Sequence, residues 1–124
     1  MKTVAILFYV LIASQLFNIH KDCSDAHSAA DDAYSYSKKA YKADSLDDIR
    51  RYSKKAMRSF KKAKSYADDC DCDDAKSAAK DGYTNAKKSF TSDDIEDGQR
   101  YAKKAKKDAD EAMSSADDCS SKFK

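Results

Sequence analysis

The feature that most constrains the fold is an internal repeat that carries two cysteines at the same two places in each copy. Residues 23–70 align with residues 72–119 without a gap, and 23 of the 48 aligned pairs are identical. Cys23 aligns with Cys72, and Cys70 aligns with Cys119. Biased composition raises the identity of such an alignment, but it does not place a cysteine at both ends of both copies. The sequence therefore predicts a duplicated structural unit.

Within each unit, small side chains recur at alternating steps of four and three residues, which is the spacing of a heptad seam on a helix. A run of this kind occurs on each side of a polar segment, so each unit is predicted to be a helical hairpin. In the first unit the two runs are Ala26, Ala30, Ala33, Ser37, Ala40 and then Ser53, Ala56, Phe60, Ala63, Ala67.

The polar segments carry helix-start signals. Ser45 is followed three residues later by Asp48, which is typical of an N-cap residue with an acidic partner, and Asp94 with Asp97 repeats the pattern in the second unit. Helices are predicted at about 24–43, 46–69, 73–91 and 95–118.

Placing the two cysteines of a unit opposite each other fixes the register of its antiparallel helix pair. Nine of the ten facing rows in the two units then contain two small residues, and the exception is Ala33 opposite Phe60. Gly82 faces Ala109 in the second unit. Helices lined in this way can approach closely. The register therefore predicts close-packed hairpins with one disulfide in each.

The predicted disulfides are Cys23–Cys70 and Cys72–Cys119. All four cysteines lie at one end in this arrangement, so Cys23–Cys72 with Cys70–Cys119, or Cys23–Cys119 with Cys70–Cys72, is also geometrically possible. The duplication favours pairing within a unit, since an ancestral single hairpin had to pair its own two cysteines. A zinc or copper thiolate site is the other interpretation of the Cys70 to Cys72 segment, and an exported chain favours disulfides over it.

The N-terminal segment predicts export. Residues 1–20 resemble a signal peptide with an apolar run over 4–17 that is too short to span a bilayer, and its cleavage site is open. Residues 21–124 are predicted to form a single helical domain of a secreted, extracellular protein. This part of the chain is alanine-rich and poor in large aliphatic side chains, so disulfides are expected to compensate for a weak core.

The predicted fold is all-α: an antiparallel four-helix bundle made of two duplicated, disulfide-stapled hairpins. The alternative is an elongated rod in which the second and third helices continue through Asp71. Two observations support the rod. No Gly or Pro interrupts the chain at Asp71, and the shift of 49 residues between the units is a whole number of heptads.

Large side chains flank the small-residue seam on two sides, and those on the first side are expected to form the contact between the hairpins. We interpret both groups as packing residues. The alanine seam leaves little room for a cavity, which argues against a small-molecule ligand. The first group is Tyr34, Tyr41, Met57, Tyr83, Phe90 and Met113, and the second is Tyr36, Tyr52, Tyr66 and Tyr101.

The sequence predicts neither an enzyme nor a cofactor site. His27 aligns with Lys76, so it is interpreted as a solvated helix position and not as a base or ligand. Residues 93–104 resemble an EF-hand loop superficially, but Ile95 and Lys104 stand where calcium ligands are required. No catalytic, cofactor-binding or metal-binding residue is predicted.

Charge is distributed in zones along the predicted hairpins. Lysines form a belt at mid-height, and acidic residues at both ends interrupt it, which disfavours nucleic-acid binding. The acidic cysteine end is interpreted as a solvated cap, with a loose divalent-cation surface as the alternative. The carboxylates at that end are Asp22, Asp25, Asp68, Asp69, Asp71, Asp73, Asp74, Asp117 and Asp118.

The sequence therefore predicts a secreted, noncatalytic helical protein that acts as a structural or protein-interaction module. Its partner would be an unidentified protein or a second copy of the chain. One alternative is a divalent-cation binder that uses the acidic end. The other is a membrane-active peptide-like protein, which is disfavoured because faces of Ala and Ser with scattered Tyr give little insertion energy.

Overall fold

The computed structural model describes residues 22–121, so the predicted signal peptide at 1–20 lies outside the described residues. This part of the chain forms four helices and no strand, and the predicted helix ends agree with the structure to within three residues. The helices are α1 (Ser24–Lys42), α2 (Leu46–Asp69), α3 (Asp73–Phe90) and α4 (Ile95–Ser121).

The predicted helix-start signals are confirmed at the α1–α2 and α3–α4 loops. Ser45 Oγ accepts a hydrogen bond from the Asp48 amide at 3.2 Å, and Asp94 Oδ1 accepts one from the Asp97 amide at 2.8 Å. Each bond satisfies one of the amides that a first helical turn leaves without a partner. The two hairpins therefore turn with the same local chemistry.

The chain reverses direction at Asp71, between α2 and α3. Asp71 has a φ of 55°, in the left-handed region, and the Cys72 amide donates to the Ala67 carbonyl at 2.8 Å. Aspartate tolerates this conformation better than most residues. The rod with a continuous central helix is therefore wrong, because one left-handed residue suffices to turn the chain without Gly or Pro.

The four helices form an antiparallel bundle in which neighbours in sequence are neighbours in space. α1 packs against α2 and α4, α3 also packs against α2 and α4, and the two diagonal pairs make few contacts. We call residues 23–70 hairpin one and residues 72–119 hairpin two. The predicted all-α four-helix bundle is confirmed.

The small-residue rows of the two hairpins combine into layers, each with one buried residue from every helix. Alanine occupies most of these positions, so the helix backbones lie close together. From the disulfide end, the layers are Ala26/Ala67/Ala75/Ala116, Ala30/Ala63/Ala79/Ala112, Ala33/Phe60/Gly82/Ala109, Ser37/Ala56/Ala86/Ala105 and Ala40/Ser53/Ser89/Ala102.

The two largest fully buried side chains lie opposite the two glycines. A Cβ atom added to Gly82 would collide with the ring of Phe60, and one added to Gly98 would lie 3.0 Å from Ile49 Cγ2. Phe60 and Ile49 belong to hairpin one, whereas both glycines belong to hairpin two. The close packing expected at Gly82 is therefore confirmed, and its cause is Phe60 from the other hairpin.

Phe60 and Gly82 should be energetically coupled. Gly82→Ala should destabilise the wild-type protein because the added methyl group meets the Phe60 ring. In a Phe60→Ala background the same change should stabilise the protein, since the layer becomes all alanine and Ala favours a helix over Gly by about 1 kcal/mol. Chemical denaturation of the four proteins of this double-mutant cycle measures the coupling.

Lys54→Leu is a suitable control for that cycle because Lys54 is exposed, and it should be nearly neutral. Equal effects of Gly82→Ala in the two backgrounds would contradict the packing described here.

Polar contacts join the hairpins at the loop end. Ser53 Oγ lies 2.8 Å from Ser89 Oγ, and Ser89 Oγ donates to the Gly98 carbonyl at 2.7 Å. Gln99 Nε2 donates to the Ala43 carbonyl at 2.9 Å, which links α4 to the end of α1. These bonds fix the register of the two hairpins at the end opposite the cysteines.

The disulfides close the other end of the bundle. Cys23 pairs with Cys70 and Cys72 pairs with Cys119, with Cα atoms 5.5 Å and 5.9 Å apart and a sequence separation of 47 residues in each case. The predicted pairing is confirmed. Cross-linking loops of this length stabilises a folded domain by about 3–4 kcal/mol per bond in the chain-entropy model.

Reduction should therefore lower the melting temperature markedly, because a core made mostly of alanine supplies little apolar burial. The measurement is thermal unfolding by circular dichroism with and without a thiol reductant. Peptide mapping without reduction should recover Cys23 with Cys70 and Cys72 with Cys119. An unchanged melting temperature after complete reduction would show that the disulfides contribute no stability.

Candidate functional site

The disulfide end brings together the predicted cysteine residues. The Sγ atoms of Cys23, Cys72 and Cys119 lie within 4.8 Å of one another, and they form the one group of three potential metal ligands among residues 22–121. All four cysteines are in disulfides. Metals bind thiolates, which these sulfur atoms are not in this state. The thiolate interpretation is therefore wrong for the disulfide-bonded protein.

Two of the acidic residues at this end are contacted by basic side chains from neighbouring helices. Lys76 Nζ donates to Asp68 Oδ1 at 2.8 Å, and His27 Nδ1 lies 2.8 Å from Asp117 Oδ1. Lys76, by its hydrogen bond and its charge, lowers the pKa of Asp68, and Asp68 raises the pKa of Lys76 in return. His27 and Lys76 occupy aligned positions in the two hairpins. Each lies beside an aspartate near the C-terminal end of a helix in the other hairpin, where the helix dipole disfavours a negative charge.

The divalent-cation hypothesis has a direct test. We expect Ca²⁺ to produce neither saturable heat in calorimetry nor a concentration-dependent rise in melting temperature, because tight sites need several oxygens that converge at fixed geometry. The matched control is the Asp73→Asn/Asp74→Asn variant, which removes two exposed carboxylates. Saturable binding that this variant weakens would support a cation site at the disulfide end.

The first group of large side chains lies where the sequence predicted, beside the contact between hairpins. Lys106 of α4 places its Nζ 5.8 Å from the centre of the Tyr34 ring and 5.6 Å from that of Tyr41, both on α1. Cation–π contacts of this kind stabilise exposed ring faces modestly. The members of this group that pack against the core are Tyr34, Met57, Tyr83 and Met113.

The outer face of hairpin one is the surface of α1 and α2 turned away from hairpin two, and it is rich in tyrosine and lysine. Lys39 Nζ lies 5.6 Å from the centre of the Tyr36 ring and 5.8 Å from that of Tyr52. Lys55 approaches Tyr36 from α2 at 5.7 Å. Tyr66 is 40% exposed. Among residues 22–121 it is one of two large hydrophobic residues whose side chains are exposed.

A groove of about 640 Å³ lies at the loop end of this face. Lys38, Lys39 and Lys42 line it together with Asp44 and Asp48. The aspartates reduce its positive potential, so the groove is mixed in charge.

The outer face of hairpin two is the corresponding surface of α3 and α4, and it holds an acidic groove of about 390 Å³. Four small side chains and four acidic side chains line this groove. The small residues are Ser77, Ala78, Ser114 and Ser115, and the acidic residues are Asp74, Asp81, Asp110 and Glu111.

Asp108 lies on the same face and is only partly exposed. Burial raises the pKa of Asp108, and Asn85 limits the shift because its Nδ2 donates to Asp108 Oδ2 at 2.7 Å. The acidic groove was not predicted from the sequence, where its one signal is the contrast between Asp110–Glu111 and the aligned Lys61–Lys62.

Within the described range, no helix is both long and apolar enough to cross a membrane. Comparison of the chain with models of known protein families, with curated proteins and with solved structures finds no match.

Proposed function

We propose that this chain is a secreted, noncatalytic structural or protein-interaction module. The observation that carries the proposal is the layered core, in which alanine, serine and one glycine surround a single phenylalanine. Such a core holds the helices too close together for a ligand between them. Recognition is therefore assigned to the outer faces of the hairpins.

Two further observations support this assignment. Both ends of the bundle are fixed, one by two disulfides and the other by the Ser53–Ser89–Gly98 hydrogen bonds. A rigid scaffold presents surface residues with little loss of conformational entropy on binding. Disulfides persist in oxidising compartments, which is consistent with an extracellular site of action.

The proposal is tested by expressing the full chain in secreting eukaryotic cells. We expect the protein in the medium, with an N-terminus between about residues 14 and 21 and with all four cysteines oxidised. Leu11→Arg interrupts the apolar run and should retain the protein in the cells. Intact-mass measurement and N-terminal sequencing determine the processing.

Chemical cross-linking in the native extracellular fluid then tests the interaction role. We expect a specific cross-linked product that contains a second protein or a second copy of the chain. A protein that stays in the cells with free thiols would contradict the secreted role. Recovery of an uncross-linked monomer at its native concentration would contradict the interaction role.

A further inference from the structure

We propose that copies of this chain associate head to tail, with the tyrosine–lysine outer face of hairpin one seated in the acidic groove of hairpin two of the next copy. This inference rests on the proposed interaction role and names its partner. The occupant of the acidic groove is a second copy of the chain, and its anchor is Tyr66.

The two hairpins carry opposite net charge. Hairpin one has eleven Lys or Arg against eight Asp, a net charge of +3, whereas hairpin two has nine Lys or Arg against twelve Asp or Glu, a net charge of −3. The two sequences are identical at 23 of 48 aligned positions, which include the lysine pairs of the mid-height belt. Opposite charges on equivalent surfaces favour the contact of unlike surfaces and disfavour the contact of like ones.

The contrast is concentrated where the acidic groove lies. Asp110 and Glu111 on the acidic groove align with Lys61 and Lys62, which are exposed on α2. One helical turn after Glu111, Ser115 also lines the groove, and it aligns with Tyr66. One hairpin thus presents a large side chain with lysines nearby, and the other presents a hollow with carboxylates at the same places.

These surfaces complement each other in shape as well as in charge. Tyr66 is 40% exposed, and Lys62 lies one helical turn before it on the same side of α2. The groove has a volume of about 390 Å³, and half of its lining residues are serine or alanine, whose small side chains leave room for an aromatic ring. An inserted Tyr66 would bury apolar area there, and Lys62 would approach Glu111, which also lines the groove.

The positions of the two faces determine the type of assembly. α1 and α2 form one side of the bundle and α3 and α4 form the opposite side, so one copy can use both faces at once. A contact between unlike faces does not close on itself in a dimer, and its repetition gives an open row.

The available area suits a reversible contact. An outer face is about 36 Å long, from the rise of the 24-residue helix α2, and about 20 Å wide across two helices. This corresponds to roughly 700 Å² per copy, near the lower end of specific protein interfaces. Because the contact relies on exposed charges, high salt should weaken it.

The experiment is sedimentation equilibrium of the oxidised full domain over a concentration series at low and high ionic strength. The weight-average mass should rise with concentration at low salt and fall toward the monomer at high salt. Tyr66→Ser removes the anchor, and Ser115→Tyr fills the hollow. Each variant alone should be monomeric, and circular dichroism should show an unchanged fold.

An equimolar mixture of Tyr66→Ser and Ser115→Tyr distinguishes this contact from any other. The first variant keeps an intact groove and the second keeps an intact Tyr66, so the mixture should form a 1:1 dimer that grows no further. Lys64→Ser, at an exposed position outside the proposed contact, should associate like the wild type.

Exposed charges provide a second pair of variants that does not depend on how Ser115→Tyr folds. Lys62→Glu and Glu111→Lys should each weaken association about tenfold or more, and the double variant K62E/E111K should restore it. A wild-type monomer at millimolar concentration in low salt, or a mixture that stays monomeric, would overturn the proposal. A different protein cross-linked to a monomeric chain would also overturn it and would leave the proposed interaction role intact.

Discussion

The close approach of four alanine-lined helices is the constraint on which the rest of the structure depends. Each buried methyl group contributes little apolar area, so the layers fix the geometry more than they stabilise it. The two disulfides hold the helices together at one end of the bundle, and the Ser53–Ser89–Gly98 hydrogen bonds hold them together at the other end. The same close approach moves large side chains out of the core to the flanks, where lysine ammonium groups lie over tyrosine rings.

The two aligned hairpins fit each other in the core and differ in charge on the surface. In the core, Phe60 and Ile49 of hairpin one fill the space left by Gly82 and Gly98 of hairpin two. On the surface, Lys61 and Lys62 are aligned with carboxylates. The fit in the core joins the two hairpins of one chain. We infer that the contrast in surface charge joins separate chains.

Much of the fold was predictable because the signal was local or repeated. Ser45 and Asp94 indicated the helix starts, and the cysteine offsets together with the alanine spacing gave the hairpin register. The pairing of Phe60 with Gly82 was not predictable, because it depends on how two hairpins dock and not on spacing within either. The sequence also did not decide between a turn and a continuous helix at Asp71, since aspartate fits both a helix and a left-handed turn. The acidic groove was missed because it appears only when α3 and α4 lie side by side.

The pairing of Phe60 with Gly82 has a consequence for the history of such a chain. Genetic recombination that replaced hairpin two by a copy of hairpin one would place alanine against each Phe60 ring and overfill the layer. The reverse replacement would set glycine against alanine and leave that layer empty at its centre. Either product would also join two hairpins of like charge. The two hairpins are thus not interchangeable within this bundle, although 23 of their 48 aligned positions are identical.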